Sequence, residues 1–389
     1  MKLAGDWLNN PATQTVCSVL TAAGYQALFV GGCVRNELLG WPVADVDIAT
    51  DAEPDVVTRL AAAASIRVIP TGVAHGTVTL VLAGISHEVT TFRQDLATDG
   101  RRAEVAFSSD ILADAKRRDF TINALYAQPD GTLVDPLHGL ADVLARKIRF
   151  IGDADARIRE DHLRILRFFR FFAWFGHQAD GLDPIGLRAC ATSAALIGRL
   201  SRERVGAEMR KLLSAPDPAA ALSAMATTGV LDLVLPGAVV TATGKLTELE
   251  QRNGFPPRWT RRLAALGGHD AARRLRMSKA EAGALDAVNS ALADRRGAAQ
   301  LAQIHGADAG VDAVLIACAR NATPVPRRLQ EIALAGASAI FPVGASDLPD
   351  TIPAGPETGR ALKELRQLWL RSEMTLSRAQ LLSDFGTTS

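Results

Sequence analysis

Two aspartates stand one residue apart in the stretch Asp45-Val46-Asp47-Ile48-Ala49-Thr50. The stretch reads as a strand, and side chains on a strand alternate faces with period two, so both carboxylates point the same way. Such a pair can hold divalent ions about 3.5–4 Å apart, the clamp used for in-line displacement at phosphorus. All-oxygen ligands suit magnesium. Taken alone, the pair reads first as two solvated acids at a strand end. Glu88, on a predicted neighbouring strand, is the candidate third acid.

Gly31 and Gly32 lie about fourteen residues upstream, between the strand-like "ALFV" and the helix-like "CVRNELLG". A glycine pair at such a junction lets the backbone approach a phosphate, and the helix start favours negative charge. Arg35 adds a forked donor on the first turn. The spacing is neither G-x-G-x-x-G nor a Walker loop, which excludes the Rossmann and P-loop readings. Further on, Lys116, Arg117 and Arg118 form a positive cluster suited to a triphosphate. Asp119 is able to orient one of its guanidiniums, and Asn123 to donate to a ribose hydroxyl. A solvated basic helix end is the alternative.

In "REDHLRILRFFRFF" (159–172), Asp161 and Arg164 are three apart, neighbours on one face of a continuous helix, with Arg167 one step further along. Cytosine and adenine share an edge: an exocyclic amino donor beside a ring-nitrogen acceptor. A carboxylate accepts from the first while a guanidinium donates to the second. Guanine and uracil present the opposite pattern, so an Asp–Arg pair suffices to select C and A. The other reading is a plain intrahelical salt bridge, worth about 0.2–0.5 kcal/mol.

The elements that must carry these residues change character along the chain. Strand and helix signals alternate at first: "ALFVGG", "DVDIAT", then a helix in "DAEPDVVTRLAAAA" with Asp51 as N-cap. "GTVTLVLAG" and "ISHEVTTFR" read as a hairpin turning at Ala83-Gly84. "QDLATDGRRAEVAFSSD" reads as a long loop, and "ILADAKRRDFTINALYA" as a helix. Beyond residue 153 alanine, leucine and arginine dominate and the pattern stays helical, with a Pro/Gly-rich connector at 341–359 before a last helical pair. The aromatic run from Phe168 to Phe175 reads as core packing rather than a base-stacking box.

Bulk properties narrow the class. With 389 residues, 48% hydrophobic and 22% charged, the chain is globular and long enough for two or three domains. A net charge of +1 means that any nucleic-acid surface must be local. Arginine clusters at 199–211 and 258–277 are candidates for phosphate contact. Four cysteines without C-x-x-C spacing argue against disulfides or a zinc site. Together with the absence of a signal-like start or a membrane-length apolar run, they predict a cytoplasmic protein.

The three motifs together resemble the signatures of the class II CCA tRNA nucleotidyltransferase and bacterial poly(A) polymerase family, of the DNA polymerase β superfamily. "GGCVRN" with "DVD" is similar to its G-G-x-V-R-D and D-x-D, "RRDFTINAL" to its next motif, and "REDHLRILR" to E-D-x-x-R-x-x-R. Asn36 departs from the pattern, standing where the family usually has aspartate. The resemblance implies an α+β fold: a polymerase β-like mixed sheet with flanking helices, followed by an elongated all-α neck, body and tail. It divides the chain into a catalytic head (1–150), a neck carrying the base-selecting motif (151–225) and a tRNA-binding body and tail (226–389).

It also implies addition of CMP, CMP and AMP to the tRNA 3′ end from CTP and ATP. Two Mg²⁺ would sit at Asp45 and Asp47, with Glu88 as third acid. Gly31, Gly32, Arg35, Arg118, Asp119 and Asn123 would take the nucleotide, and Asp161, Arg164 and Arg167 its base. Poly(A) addition or a C-only or A-only step would use the same motifs. A silent RNA-binding member, hinted at by Asn36, and a small-molecule nucleotidyltransferase are the more distant alternatives.

Overall fold

A computed structural model describes residues 1–389 apart from 71, 74, 75, 99–102, 350 and 387–389. The described chain divides into two compact units, Met1–Pro236 and Gly237–Ser389.

The first unit opens with helix α1 (Pro11–Ala22), N-capped by Asn10, followed by β1 (Leu28–Val30), α2 (Gly32–Leu39), β2 (Val46–Thr50) and α3 (Pro54–Ala63). Then come β3 (Arg67–Ile69), β4 (Thr77–Leu82) and β5 (Ile85–Thr91). With two short strands from further on, β8 (Tyr126–Ala127) and β9 (Leu133–Val134), they form a seven-stranded sheet in the order β3-β4-β5-β2-β1-β8-β9. Its central pair, β2 and β5, is parallel, and the other pairs are antiparallel, so the sheet is mixed. The β4–β5 hairpin turns on Ala83 and Gly84, both at positive φ (49° and 80°), the twist a two-residue turn needs. Phe29 and Ile48 are fully buried at the centre of the sheet. α1 and α3 pack together against it, and the Thr13 hydroxyl is 2.9 Å from His87 Nε2, tying α1 to β5.

Three local expectations fail. The stretch read as a long loop forms a two-stranded ribbon, β6 (Arg93–Thr98) with β7 (Ala103–Phe107). Its pairing is made by backbone groups and needs little apolar patterning; residues 99–102, which include the Arg101-Arg102 pair, lie outside the described residues. The helix expected over 111–127 stops at Lys116, as α4 (Ile111–Lys116), giving way to a 3-10 turn and then β8. The Asp119 carboxylate accepts from the Phe120 N–H at 2.8 Å, a local bond that competes with helix continuation. Finally, α3 is capped by Glu53, with Pro54 at its first position. Asp51 accepts instead from the Gln26 backbone N–H at 2.7 Å.

After α5 (Leu140–Leu144), the unit continues through α6 (Ala154–Glu160), α7 (Arg164–Phe175), α8 (Pro184–Thr192) and α9 (Arg202–Leu213), then α10 (Ala219–Thr227) and α11 (Val230–Val234). Phe168, Phe169 and Phe172 of α7 are fully buried, and Phe168 stacks on Phe150 with ring centroids 5.5 Å apart. Phe120, just before the 3-10 turn, joins them at 4.9 Å from Phe150. This aromatic core fixes α7 beside the segment that carries Arg118 and Asp119.

The described residues of the second unit are helical, with a single isolated bridge, Ala238 to Gly267. Its interior holds a charge network. Arg261 donates to Glu250 at 2.7 Å and to Asp312 at 2.6 Å, and Arg262 donates to Glu250 at 2.7 Å. All four side chains are at most 2% exposed. The pair Arg261 and Arg262 within the run at 258–277 is therefore core and not phosphate surface, because Glu250 and Asp312 compensate it. Arg258 is also paired, with Asp308 and Asp312. Among the described residues no helix is long and apolar enough to cross a membrane.

Candidate active site

The three motifs meet in one cleft of about 480 Å³ in the first unit. Gly31, Gly32, Arg35 and Asp47 line it from the sheet side, Arg118, Asp119 and Asn123 from the 3-10 turn, and Asp161, Arg164 and Arg167 from the helices. Asp45 and Glu88 are not on its lining.

Gly31 caps α2 with φ 70° and ψ −112°, a conformation L side chains rarely adopt. A Cβ there would stand 3.5 Å from an Arg118 guanidinium nitrogen, an ordinary contact, so it is the backbone conformation and not space that calls for glycine. Helix α2 starts at Gly32, its first turn facing the cleft, and the buried Cys33 and Val34 seat it on the sheet.

Asp47 is on β2, directly opposite Glu88 of β5 in the parallel register, whereas Asp45 is exposed in the loop just before β2. The pair thus straddles the strand's start instead of sharing the strand. Burial, and next the Glu88 charge, push the Asp47 carboxyl up to about 6, with Asp45 adding to the rise and Arg118 and Arg35 opposing it. A carboxylate so disfavoured in its charged form fits a bound cation. Among the described residues no three acidic, histidine or cysteine side chains are gathered tightly enough to hold an ion alone. Glu88 therefore stands beside Asp47 without completing a cage. Phosphate oxygens and water would supply the remaining ligands, the usual arrangement for magnesium.

Arg35 is 8% exposed and held by neutral groups: Asn36 Oδ1 accepts from its Nε at 3.2 Å and from its Nη2 at 2.9 Å, and Asn123 Oδ1 accepts from Nη1. Burial, reinforced by Arg170 nearby, pulls its pKa down to about 10. Asn36 supplies the acceptor oxygen an aspartate would, and its amide nitrogen donates to the Pro42 carbonyl at 2.9 Å, bracing the loop that leads to Asp45. Asn123 passes the contact on, donating to Asp119 at 2.9 Å, and Asp119 accepts from Arg167 Nε at 2.7 Å. Burial alone would raise the Asp119 carboxyl; Arg167 and the Asn123 amide outweigh it and hold it below the usual range. Arg118 is anchored by Asp114 at 2.9 Å and by the Tyr126 hydroxyl at 3.1 Å.

The base-selecting pair departs from expectation. Helix α6 ends at Glu160, Asp161 takes an extended conformation (φ −145°, ψ 107°), and α7 begins at Arg164. The two side chains flank a helix break rather than sharing a face. Nor do they pair: Arg164 donates to Glu160 at 2.6 Å and to the Arg157 carbonyl at 2.8 Å. Both Asp161 oxygens accept from Arg204 of α9, at 3.0 and 2.9 Å, and one also from the Leu163 N–H at 3.1 Å. The break leaves both groups free of each other in the cleft. The hold of Arg204 on Asp161 escaped the sequence reading because its run, 199–211, looks like any basic helix face; so did Phe171, which carries no motif of its own.

Residues 27–149 match the poly A polymerase head domain, and residues 182–240 match the domain described as "Probable RNA and SrmB- binding site of polymerase A". Over these segments the chain is similar to the poly A polymerase family of nucleotidyltransferases. Members of this family typically need divalent metals. A CCA-adding enzyme of Geobacillus thermodenitrificans is 45% identical over 220 residues, 56% of this chain and 52% of that one. The human mitochondrial CCA tRNA nucleotidyltransferase 1 is 40% identical over 201 residues, 51% of this chain and 46% of that one. The chain thus spans about half the length of the curated relatives it matches. The crystal structure of the Bacillus stearothermophilus CCA-adding enzyme in complex with CTP is similar over 97% of this chain and 98% of that one, with a TM-score of 0.74 and 29% identity. The mixed sheet and the helical remainder are both matched in that structure.

Proposed function

We propose that this protein is a template-independent nucleotidyltransferase that adds CMP, CMP and AMP in turn to the 3′ end of tRNA, using CTP and ATP. The observation that carries this reading is a single cleft lined by Asp47, the Gly31-Gly32 helix start, Arg35, Arg118, Asp161 and Arg164. The names of the curated relatives support the reaction, and the CTP complex of the Bacillus enzyme supports the substrate.

In this reading residues 1–150 are the catalytic head, 151–225 the neck, and 226–389 the body and tail that hold the tRNA. The helix start at Gly32 receives the triphosphate together with Arg35 and Arg118, whose anchors fix their guanidiniums before the ligand arrives. Asp45 and Asp47 would hold two Mg²⁺, which would supply Lewis acidity for activating the 3′-hydroxyl and for offsetting the charge of the departing pyrophosphate. Glu88 opposite Asp47 increases the demand for positive charge there. Asp161 accepts from the exocyclic amino group of C or A, and Arg164 donates to the adjacent ring nitrogen. Each such pairing discriminates by about 1–3 kcal/mol. Three of the roughly four acceptor sites of the Asp161 carboxylate are occupied, leaving room for one amino group. The chain Arg167–Asp119–Asn123–Arg35 links the base end of the cleft to its phosphate end. Four buried, unpaired cysteines favour a reducing compartment, the cytoplasm.

The test is incorporation. The full chain is incubated with Mg²⁺, each labelled nucleoside triphosphate and a tRNA ending at the discriminator base. Two C and one A are expected. A long A ladder would replace this reading with poly(A) addition, and no incorporation would overturn it.

A further inference from the structure

Beside the nucleotide cleft, and sharing Arg35 and Phe171 with it, lies a second hollow of about 170 Å³. Its remaining lining is Arg170, Trp174, Phe175 and Lys211. Three cations and three aromatic rings make up the lining, with no acid on it. At this size it is too small for a nucleoside triphosphate, since sites for drug-sized ligands run to about 300–1,000 Å³. One flat ring is a better match.

The aromatic run was expected to be core, and its first part is. At its end, however, Trp174 and Phe175 are only half-buried. The Trp174 indole N–H donates to the Lys211 carbonyl at 2.7 Å, which satisfies its polar edge and fixes its plane. Trp41 supports it edge-on, with ring centroids 5.8 Å apart. The charges are arranged to attract anions. Arg170 is neutralised by Glu208 at 2.7 Å, but Arg35 has only amide partners, and the exposed Lys211 ammonium has no partner among the described residues. The Arg35 guanidinium lies 4.0 Å from the Phe175 ring centroid, so one cation forms a wall of both hollows.

Oriented rings between uncompensated cations are how proteins hold single-stranded nucleic acid: bases stack, and the cations take the backbone. We propose that this hollow seats the 3′-terminal base of the RNA being extended, stacked at Trp174, with Lys211 on a backbone phosphate. The proposal rests on the nucleotidyltransferase reading and adds a primer subsite to it. The shared Arg35 wall brings the terminal nucleotide next to the triphosphate it must attack.

The test uses the full chain with Trp174→Ala, Trp174→Phe and Lys211→Ala, and tRNA lacking its last three nucleotides. Trp174→Ala is expected to raise KM for the RNA about tenfold while KM for CTP stays within about twofold, and Trp174→Phe to restore most of the loss. Lys211→Ala, at an exposed side chain that cannot unsettle folding, should lower the slope of log affinity against log salt by about 0.7, one phosphate contact on a single strand. RNA carrying 2-aminopurine at its 3′ end should be quenched on binding to the wild type and not to Trp174→Ala. Unchanged RNA KM, quenching and salt slope in the variants, with nucleotide addition intact, would overturn the subsite alone. Displacement of the 2-aminopurine signal by an apolar peptide but not by unlabelled RNA would also overturn it. If no RNA is extended at all, the function reading fails, and the quenching and salt measurements still decide the subsite.

Discussion

Asp47→Asn should stabilise the metal-free protein while abolishing nucleotide transfer. The Asp47 carboxyl stands at about 6 against an ordinary 3.8, held up first by burial and then by Glu88. Between those values the folded state binds more protons than the unfolded one. Stability therefore falls as pH rises through this window, and the penalty is complete above pH 6. At about 1.36 kcal/mol per pKa unit the shift amounts to about 3 kcal/mol, reduced toward 1–2 by solvent at this partly exposed side chain. Asparagine removes the charge and with it the penalty. Urea unfolding in EDTA should show the variant more stable by about 1–2 kcal/mol at pH 8, and by much less at pH 4.5. Mg²⁺ should raise the wild-type midpoint more at pH 8 than at pH 4.5, and leave the variant nearly unmoved. A variant no more stable than the wild type at pH 8 in EDTA would refute the electrostatic account of this site.

Asn36→Ala removes the acceptor that holds Arg35 and should raise KM for CTP about tenfold, from the loss of a charge-assisted hydrogen bond of about 1.5 kcal/mol; Asn36→Asp keeps the oxygen and should stay within about threefold. Equal damage from both would mean that the oxygen is not what Arg35 uses. Arg204→Ala frees the Asp161 carboxylate, so the preference for CTP over UTP in kcat/KM should drop by about tenfold with little change in melting temperature, because the pair is partly exposed; an unchanged preference would leave Arg204 with no part in selection. In the second unit, Glu250→Gln leaves Arg261 and Arg262 buried without their shared carboxylate, and a loss of about 3–5 kcal/mol is expected in thermal unfolding.

Much of the site was legible in the sequence because its chemistry is local. Gly31-Gly32, the D-x-D pair, Arg118 and the Asp161 and Arg164 positions each announce themselves by residue type and short spacing. The β4–β5 hairpin was equally plain, since Ala83-Gly84 interrupts two apolar runs. What escaped depended on partners distant in the chain. Spacing places Asp161 and Arg164 three apart, but only the backbone reveals the helix break between them and the hold of Arg204, forty-three residues away, on Asp161. The burial of Arg261 and Arg262 was hidden for the same reason: a guanidinium reads as surface until Glu250 and Asp312 are seen around it. Local competition explains the shortened helix at 111–127, where Asp119 bonds its neighbour's N–H and serves Arg167 rather than a helical turn.

The most direct measurement is a crystal structure of the protein with CTP and Mn²⁺, using the anomalous signal of manganese to find the ions. Anomalous peaks are expected within about 2.0–2.2 Å of carboxylate oxygens of Asp45 and Asp47, with the cytosine edge against Asp161 and Arg164. Cytosine bound away from those two side chains, or ions at neither aspartate, would contradict that expectation.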